Sequence, residues 1–504
     1  MEKRRGGLRA GRGEGRMAVK RFIGKVFYPV IYEGEAADAA GALEQAAVTN
    51  NKQKEVPVFT PSSQRCEEMR WGVSQLLCAE ESGLRIGRVF EAARREVFFW
   101  PKNNKGLFFC PRAGARVPIA LTGLRILVFE TKIAFFEMDF ELQHLPLADA
   151  MNATYYLCEP KDEANHFEYE NRVFDPETRQ THVEPASFTL MQWFLRCAEF
   201  LPGCRNFENR PLASTTSKPL LYGYYLLDEK PQNFETIACN IAQNYKLSYK
   251  NAADNARDHV LETFENSCWC ASYNGAVNVS FAVGEEGTDR FFETTFPHKW
   301  GTEYLLLFIA TIHQKYAVQK YLDDLGELAC PHYDYDLMWR LLQQGEIMQE
   351  KCTLLKNRCF FQLPSHVEHV NRVYNFLQWC FDIPGYTASL DEEVENSVSV
   401  CKSYISRIKN IEDLEKQIRG IKNEMSVALI TASITCLTFF NSAYTTLRAL
   451  FSGNFGEIGV SAVVLTGTFL ATIIGAVYKL FAQADDIREV REKLDKLKGQ
   501  VVSR

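Results

Sequence analysis

Over the first 300 residues, hydrophobic and polar positions follow short alternating or apolar runs that predict a mixed α/β domain. Runs rich in aromatic and β-branched residues read as strands, and Ser187–Phe200 and Asn233–Asn244 have helical spacing. Frequent Gly, Pro and Asn residues between them indicate short connections. The predicted strands are Ile23–Tyr32, Glu96–Trp100, Arg125–Glu130, Lys132–Phe140, Leu220–Leu227, Cys268–Tyr273 and Ala276–Ala282.

After Pro297 the pattern becomes helical, which predicts an all-α layer. Pro384-Gly385 marks a turn, and from Leu390 to Met425 apolar residues recur at spacings of three and four, typical of the seam of a long packed helix. No proline interrupts it, so one helix over Leu390–Leu447 would be about 87 Å long at about 1.5 Å per residue. The helices predicted before it are Thr302–Leu328, Asp334–Lys356 and Ser365–Phe381.

Two uncharged segments near the C-terminus predict membrane-spanning helices. Met425–Leu447 has 23 residues without a charge and Ile458–Tyr478 has 21, and roughly 20 apolar residues cross a bilayer as a helix. A buried hairpin in a soluble core is the alternative. Lysines and arginines flank the two segments, whereas the loop between them carries only Arg448, so we expect both termini in the cytoplasm and the loop outside the cell (inner) membrane.

The first predicted span carries a stripe of hydroxyl side chains at steps of four, three, four and three, with an asparagine alongside. Hydrogen bonds between helices or to the helix's own backbone are one interpretation. A wet lumen enclosed by several subunits is the one we favour, because the stripe persists over about four turns. The second span repeats small residues, which allow close helix packing, at Gly459, Gly467, Ala471 and Gly475. The pore-lining candidates are Thr431, Thr435, Thr438, Asn441, Ser442 and Thr445.

Composition and motifs narrow the possible functions. The formal net charge is −6, and the only strongly basic stretch is residues 1–20, which we expect to be disordered and, lacking the apolar core of a secretory signal, to stay in the cytosol. The 15 cysteines are odd in number and scattered, so we expect reduced thiols, as in a cytosolic protein. Cys268-Trp-Cys270 comes closest to the spacing of a zinc site. No nucleophile elbow, Walker loop or zincin motif occurs. We therefore expect neither an enzyme nor a protein that binds nucleic acid directly.

A histidine pair, His366 and His369, invites a metal interpretation because residues three apart can share a helix face. Ser365 and Glu368 offer a simpler one, since Ser-x-x-Glu at a helix start predicts a capping box. We favour the cap.

The order of these segments resembles that of the CorA magnesium transporters: a cytosolic α/β domain, a helical layer, a very long helix that runs into the first span, a short outer loop and a second span. The outer loop of that family carries Gly-Met-Asn, which helps to bind the hydrated cation. Here the loop is Ser452-Gly453-Asn454-Phe455-Gly456-Glu457, with the Gly and the Asn but not the intervening Met. The loop candidates are Gly453, Asn454, Phe455 and Glu457.

Two further segments, Glu303–Gln319 and Phe360–Tyr374, are similar to a CorA-like subgroup that includes membrane effectors of type III CRISPR antiviral defence. Those effectors respond to a nucleotide messenger, an S-adenosylmethionine–AMP conjugate. The resemblance implies a homopentameric channel that this messenger opens. A constitutive Mg²⁺ transporter and a membrane-tethered scaffold stay open as alternatives.

The resemblance also implies ligand sites. Acidic residues bind regulatory divalent cations such as Mg²⁺ between subunits of the transporters, and solvated charge is the alternative for the same residues here. Trp269 and Tyr273 are candidates for stacking on a nucleotide base, or they belong to the core. The carboxylate candidates are Asp323, Asp324, Glu392 and Glu393.

The expected fold class is therefore an α/β cytosolic N-terminal domain, then an all-α layer with a long stalk helix and two C-terminal transmembrane helices, a CorA-like funnel. We expect these boundaries: 1–20, basic N-terminus; 21–300, α/β domain; 301–389, helical layer; 390–424, stalk; 425–447, first span; 448–457, outer loop; 458–478, second span; and 479–504, cytosolic amphipathic tail.

Overall fold

The structure is a computed structural model that describes residues 18–49, 54–62, 68–74, 76–77, 86–93, 95–98, 106–174, 181–208, 210–214, 217–247, 249, 259–327, 335–451 and 458–502. The chain divides into two compact units. The first comprises residues 1–326 and 350–392, and the second comprises 327–349 and 393–504. A mixed α/β sheet domain is followed by a helical region with one very long helix and an apolar C-terminal helix, so the predicted fold class is confirmed.

The strands of the first unit form one large sheet and two small ones. They are β1 (Ala18–Ile31), β2 (Ala47–Thr49), β3 (Glu55–Pro57), β4 (Phe59–Ser62), β5 (Gly87–Ala92), β6 (Phe108–Cys110), β7 (Val117–Pro118), β8 (Ala120–Phe129), β9 (Ile133–Pro146), β10 (His166–Phe174), β11 (Thr181–Phe188), β12 (Leu220–Leu227), β13 (Val260–Phe264), β14 (Ser267–Ser272) and β15 (Gly275–Phe281). Within the described residues the large sheet has the order β13-β14-β15-β12-β1-β9-β8-β5-β4. Its pairs are antiparallel except β12 with β15. The small sheets are β11-β10-β6-β7 and β2-β3.

Helices cover the large sheet and build the rest of the chain. They are α1 (Ala36–Gln45), α2 (Trp71–Ser74), α3 (Leu147–Leu157), α4 (Leu190–Ala198), α5 (Phe234–Ala242), α6 (Glu286–Arg290), α7 (Phe296–Lys299), α8 (Leu305–Glu327), α9 (Tyr335–Cys359), α10 (Glu368–Cys380), α11 (Ile383–Phe451) and α12 (Ile458–Val502). Two π-helical turns, Phe291–Thr295 and Trp300–Tyr304, lie between α6, α7 and α8.

The large sheet is buried on both faces, which explains why β12 reads as an unbroken apolar run. All eight residues of β12 are buried. On one face of the sheet the Tyr28 ring stacks on Phe194 of α4 with centroids 4.3 Å apart. On the other face Phe27 contacts Phe308 of α8 at 5.5 Å. Because helices cover both faces, the pattern loses the alternation of a half-exposed strand.

A cluster of four charged side chains lies within the β1, β8 and β9 part of this sheet. The Lys25 ammonium is 3.1 Å from Glu137 Oε1 and 2.6 Å from Asp139 Oδ2, and Arg125 also pairs with Glu137. Glu137 is fully buried. Burial raises the pKa of Glu137, and the neighbouring Arg125 and Lys25 oppose that rise. Two cations and two carboxylates thus compensate one another.

In the second unit, α11 packs against the first part of α9. Gly345 lies close to this contact, because a Cβ atom there would come 2.9 Å from a methyl group of Val398. The residues that form this apolar cluster are Met338, Leu342, Val398, Cys401 and Ile405. The three- and four-residue spacing that predicted a packed seam therefore has a partner along this part of α11.

Most predicted elements are confirmed, and three local expectations are wrong. The predicted strand Glu96–Trp100 overlaps a 3₁₀ helix, Arg95–Phe98. The helical run begins at Glu286, before Pro297 rather than after it. Pro384 lies in the first turn of α11, where its missing N–H is tolerated, and the chain turns instead at Asp382, whose φ is 52°.

Candidate functional site

Helices α11 and α12 are both long and apolar enough, by length and composition, to cross a membrane. They contact each other as an antiparallel hairpin. The rings of Phe439 and Phe469 stack at 4.0 Å, and the Gln483 amide donates to Glu424 Oε2 at 2.9 Å. Exposed apolar side chains along α11 are consistent with contact with lipid or with other chains, Leu437 being 70% and Phe440 67% exposed.

The hydroxyl stripe of α11 lies on one narrow face of the helix. At 3.6 residues per turn its five hydroxyl side chains span an arc of only about 80°, and Phe439, which faces α12, lies about 80° from the centre of that arc. Thr431, Thr438 and Thr445 are exposed in the chain, as is the flanking Asn441. The other two, Thr435 and Ser442, are half-buried. The stripe therefore lies beside the contact with α12 and away from the apolar face that carries Leu437.

Four hydroxyls of this stripe donate to backbone carbonyls of their own helix. Thr431 Oγ1 donates to the Val427 carbonyl at 2.9 Å, and Thr435 donates to the Thr431 carbonyl at 2.9 Å. Thr438 and Thr445 make similar bonds within α11. Such bonds satisfy the hydroxyl proton within α11, so these four hydroxyls donate no hydrogen bond to α12.

The hydroxyl face extends onto α12. A groove of about 480 Å³ lies between the two helices near the ends that join the charged parts of α11 and α12, with Thr431 on one side and Thr472 on the other. The lining residues are Asn423, Glu424, Val427, Ala428, Thr431, Ala432, Thr472, Gly475, Ala476 and Lys479. One side of the hairpin thus carries hydroxyl groups from both helices, which the pattern of α11 alone does not predict.

The small residues of α12 do not pack against α11. Gly467, Ala471 and Gly475 are exposed in the chain, and no heavy atom lies within 4 Å of a Cβ atom built at either glycine. The contact with α11 runs through Phe469 instead. The predicted outer-loop residues Gly453, Asn454, Phe455 and Glu457 lie outside the described residues. Gly459 lies in a part of α12 whose burial the structure does not describe.

A charged cleft in the first unit is a second candidate site. Its volume is about 240 Å³, and it lies where the turn between β8 and β9 meets α8 and α9. The lining residues are Glu35, Ile86, Glu130, Thr131, Lys132, Lys320, Tyr321, Asp324, Lys351, Leu354, Leu355, Arg358 and Cys359. Charged groups of both signs and a few apolar side chains converge there, as in many small-molecule sites.

Three ion pairs organise the cleft. They join Lys132 to Glu35 at 3.7 Å, Lys320 to Asp324 at 2.6 Å, and Arg358 to Glu130 at 3.0 Å. The fourth basic residue, the exposed Lys351, has no ion-pair partner among the described residues. Four basic and three acidic side chains leave one positive charge, so the cleft can accept an anionic group.

A buried histidine supports the turn that forms one wall of the cleft. His313 Nε2 lies 2.9 Å from the Thr131 hydroxyl, and its ring stacks on Phe129 at 4.1 Å. Burial lowers the pKa of His313 to about 3, so the ring is neutral at physiological pH. It positions Thr131 and carries no charge to a ligand.

The two aromatic candidates for ligand binding lie in different surroundings. Trp269 is fully buried, with ring contacts to Tyr222 and Tyr304 at 6.3 and 4.9 Å, and belongs to the core. Tyr273 is 51% exposed, and the Lys315 ammonium lies 5.0 Å from its ring centroid. The two side chains do not combine into one stacking site.

Among the described residues, neither the carboxylate candidates nor the pair His366 and His369 form a group of three possible metal ligands. Asp324 pairs with Lys320 in the charged cleft, whereas Asp323, Glu392 and Glu393 are exposed.

The predicted capping box is wrong: α10 begins at Glu368 after Val367, and no side chain caps it.

Ser365 instead takes part in a tertiary contact. Its hydroxyl donates to the Glu68 carbonyl at 3.0 Å and accepts from the Val367 amide at 3.1 Å. Residue Met69 pairs with Ser365 as an isolated β-bridge. The Ser365 hydroxyl is therefore engaged by Glu68 and Val367 and does not cap α10.

No protein-family model, curated protein or solved structure matches this chain.

Proposed function

We propose that this protein is an oligomeric membrane channel in which α11 lines the conduction path and the first unit binds a nucleotide messenger that opens it. The proposal rests on the hydroxyl stripe, whose five hydroxyl side chains lie on one face of the apolar segment of α11. Polar groups gain little from facing lipid, but they can replace water around a permeating ion. A hairpin of two helices cannot enclose a lumen, so several copies are required.

The small residues of α12 support the oligomer. Gly467, Ala471 and Gly475 are free to receive a helix of another copy, and small residues allow the close backbone approach that stabilises helix pairs in lipid. The order of the α/β domain, the long helix, the two apolar helices and the basic flanks is loosely CorA-like. By that resemblance we propose a homopentamer with both termini in the cytoplasm.

The charged cleft is the site that we propose for the messenger. Phosphate groups are recognised by lysine and arginine side chains, of which Lys351 and Arg358 line the cleft. An S-adenosylmethionine–AMP conjugate carries both a sulfonium cation and a phosphate anion, which suits a cleft that contains Glu35 and Glu130 as well. A messenger opens the channel only by as much as it prefers the open to the closed state.

The first test replaces hydroxyls of the stripe. Thr435→Leu and Thr438→Leu are each expected to lower messenger-dependent ion flux through proteoliposomes by roughly tenfold, since a lost contact to an ion is worth about 1.5 kcal/mol. Leu437→Val is the matched control on the apolar face and should leave the flux unchanged. If both threonine variants conduct like the wild type, at equal protein in the membrane, α11 does not line the path.

The second test addresses the cleft. Lys351→Glu is expected to weaken binding of the S-adenosylmethionine–AMP conjugate to the full chain in detergent by about 10- to 100-fold, because a charge-assisted hydrogen bond contributes about 1.5–3 kcal/mol. Lys161→Glu makes the same charge change at an exposed position elsewhere and should leave the Kd unaltered.

Titration calorimetry separates the remaining outcomes. An unchanged Kd in Lys351→Glu would place the messenger outside the cleft. Saturable Mg²⁺ transport by a protein that binds no nucleotide would favour the constitutive transporter. A protein that binds the messenger but conducts nothing would be the membrane-tethered scaffold.

A further inference from the structure

A cysteine, a histidine and a glutamate converge on one face of the small β11-β10-β6-β7 sheet. Cys110 in β6 is the direct cross-strand partner of His166 in β10. Glu168 follows His166 by two residues and so points to the same side of the strand. Such cross-strand partners have Cβ atoms about 4.5–5.5 Å apart. The pairing of two strands, rather than a flexible loop, thus brings the three side chains together.

The three potential ligand atoms lie close enough to share one ion. The Cys110 sulfur, a His166 ring nitrogen and a Glu168 carboxylate oxygen all lie within 4.8 Å of one another. Thiolate, imidazole and carboxylate are the ligands that Zn²⁺ takes in proteins, and three of them with one open position is a common arrangement.

The hydrogen bonds of His166 orient the ring for this role. Its Nδ1 lies 3.1 Å from the Ala164 carbonyl, which can only accept, so Nδ1 carries a proton. Its Nε2 faces Glu168 Oε1 at 3.0 Å. Two electron pairs would oppose each other there unless a second proton or a cation lies between them. A backbone carbonyl that fixes the far nitrogen is the usual outer support of a metal-bound histidine.

The loop before His166 is itself held in place. Asn165 is buried, its side-chain oxygen accepts from the Arg112 amide at 2.8 Å, and its amide donates to the Glu159 carbonyl at 3.2 Å. These bonds fix the backbone that carries Ala164 and His166. The ligand geometry is therefore preorganised before any ion binds.

One neighbouring cation does not block the site. Arg116 approaches Glu168 at 3.5 Å, but its guanidinium lies 3.8 Å over the ring of Phe108 and contacts the carboxylate oxygen Oε2, not the Oε1 that faces His166. The carboxylate can thus accept from Arg116 through one oxygen and bind an ion through the other. Once a bound ion displaces the thiol proton of Cys110, two negative charges face one arginine and one divalent ion.

We propose that Cys110, His166 and Glu168 bind one Zn²⁺ ion, with water in the fourth position. This site is separate from the proposed channel and the messenger cleft. Its presence does not depend on either of them.

The test uses the full chain in detergent, stripped with a chelator and then titrated with Zn²⁺ or with Co²⁺ as a spectroscopic probe. The wild type is expected to bind one equivalent, with a thiolate-to-cobalt absorption band. Cys110→Ser should abolish that band and weaken Zn²⁺ binding by more than about 100-fold, since loss of an outer-shell partner alone costs about 10- to 100-fold. Cys204→Ser, which changes another partly exposed cysteine, should leave both unchanged.

A second variant guards against loss of folding in the first. Glu168→Gln preserves the shape of the side chain and should weaken Zn²⁺ binding while the metal-free protein melts at the wild-type temperature. A wild-type chain that binds neither ion, or a Cys110→Ser variant that keeps the cobalt band, would overturn the proposal.

Discussion

Replacing Gly275 with alanine is expected to lower the free energy of unfolding of the first unit by at least about 4 kcal/mol, the range in which a substitution disrupts the backbone itself. Gly275 begins β15 with φ at 149°, a region that side chains rarely adopt. A Cβ atom there would lie 1.9 Å from the Leu221 carbonyl oxygen in the parallel neighbour β12. The clash is with backbone in the middle of a sheet buried on both faces, so no side-chain rotation relieves it.

Denaturant unfolding of the detergent-solubilised chain, followed by tryptophan fluorescence, measures this loss. Gly41→Ala in α1 is the matched control, since no heavy atom lies within 4 Å of the place that its new methyl group would take and alanine favours a helix by about 0.5–1 kcal/mol. The control should unfold at the same or a slightly higher denaturant concentration. If Gly275→Ala unfolds together with it, the pairing of β12 with β15 is not as described.

Replacing Lys25 with alanine is expected to lower the free energy of unfolding by about 3–5 kcal/mol, because it leaves the two buried carboxylates, Glu137 and Asp139, with Arg125 as the one remaining cation of the cluster. Glu137 is fully buried and Lys25 only 7% exposed, so water cannot take the place of the ammonium. Lys25→Met keeps most of the aliphatic length, and it should be nearly as destabilised if charge rather than packing decides.

An exposed ion pair provides the comparison. Arg112 lies 3.2 Å from Asp162 with 68% of its side chain exposed, and pairs of this kind contribute at most about 1 kcal/mol. Arg112→Ala should therefore unfold within about 1 kcal/mol of the wild type. Equal losses for Lys25→Ala and Arg112→Ala would mean that the cluster in the sheet is hydrated.

The long helices could be predicted from the sequence because their signals are local. The absence of proline and charge over Met425–Leu447 and the regular seam before it are sufficient to predict a helix, and α11 indeed runs from Ile383 to Phe451. The buried strand β12 was equally clear, since its eight residues are apolar apart from one glycine. The hydroxyl stripe follows from the same periodicity once the helix is known.

Other features depend on contacts between residues far apart in the chain, which local sequence patterns do not predict. Ser365 and Glu368 have the spacing of a capping box, but the Ser365 hydroxyl donates to the Glu68 carbonyl, far away in the chain. Trp269 was a candidate for stacking on a base, but it is fully buried against Tyr222 and Tyr304. Cys110 and His166 are 56 positions apart, and only the pairing of β6 with β10 makes them neighbours. The charged cleft likewise gathers residues from five separate segments.

The hydrogen bonds within α11 have a consequence for the sign of the ions that the proposed channel would pass. A hydroxyl has one proton and two electron pairs, and when the proton points back to a carbonyl of the helix, the electron pairs point outward. The hydroxyl groups of four threonines donate their protons in this way: Thr431, Thr435, Thr438 and Thr445. Repeated around an axis, they form rings of partial negative charge with no formal charge, a lining that attracts cations without holding them tightly and disfavours anions.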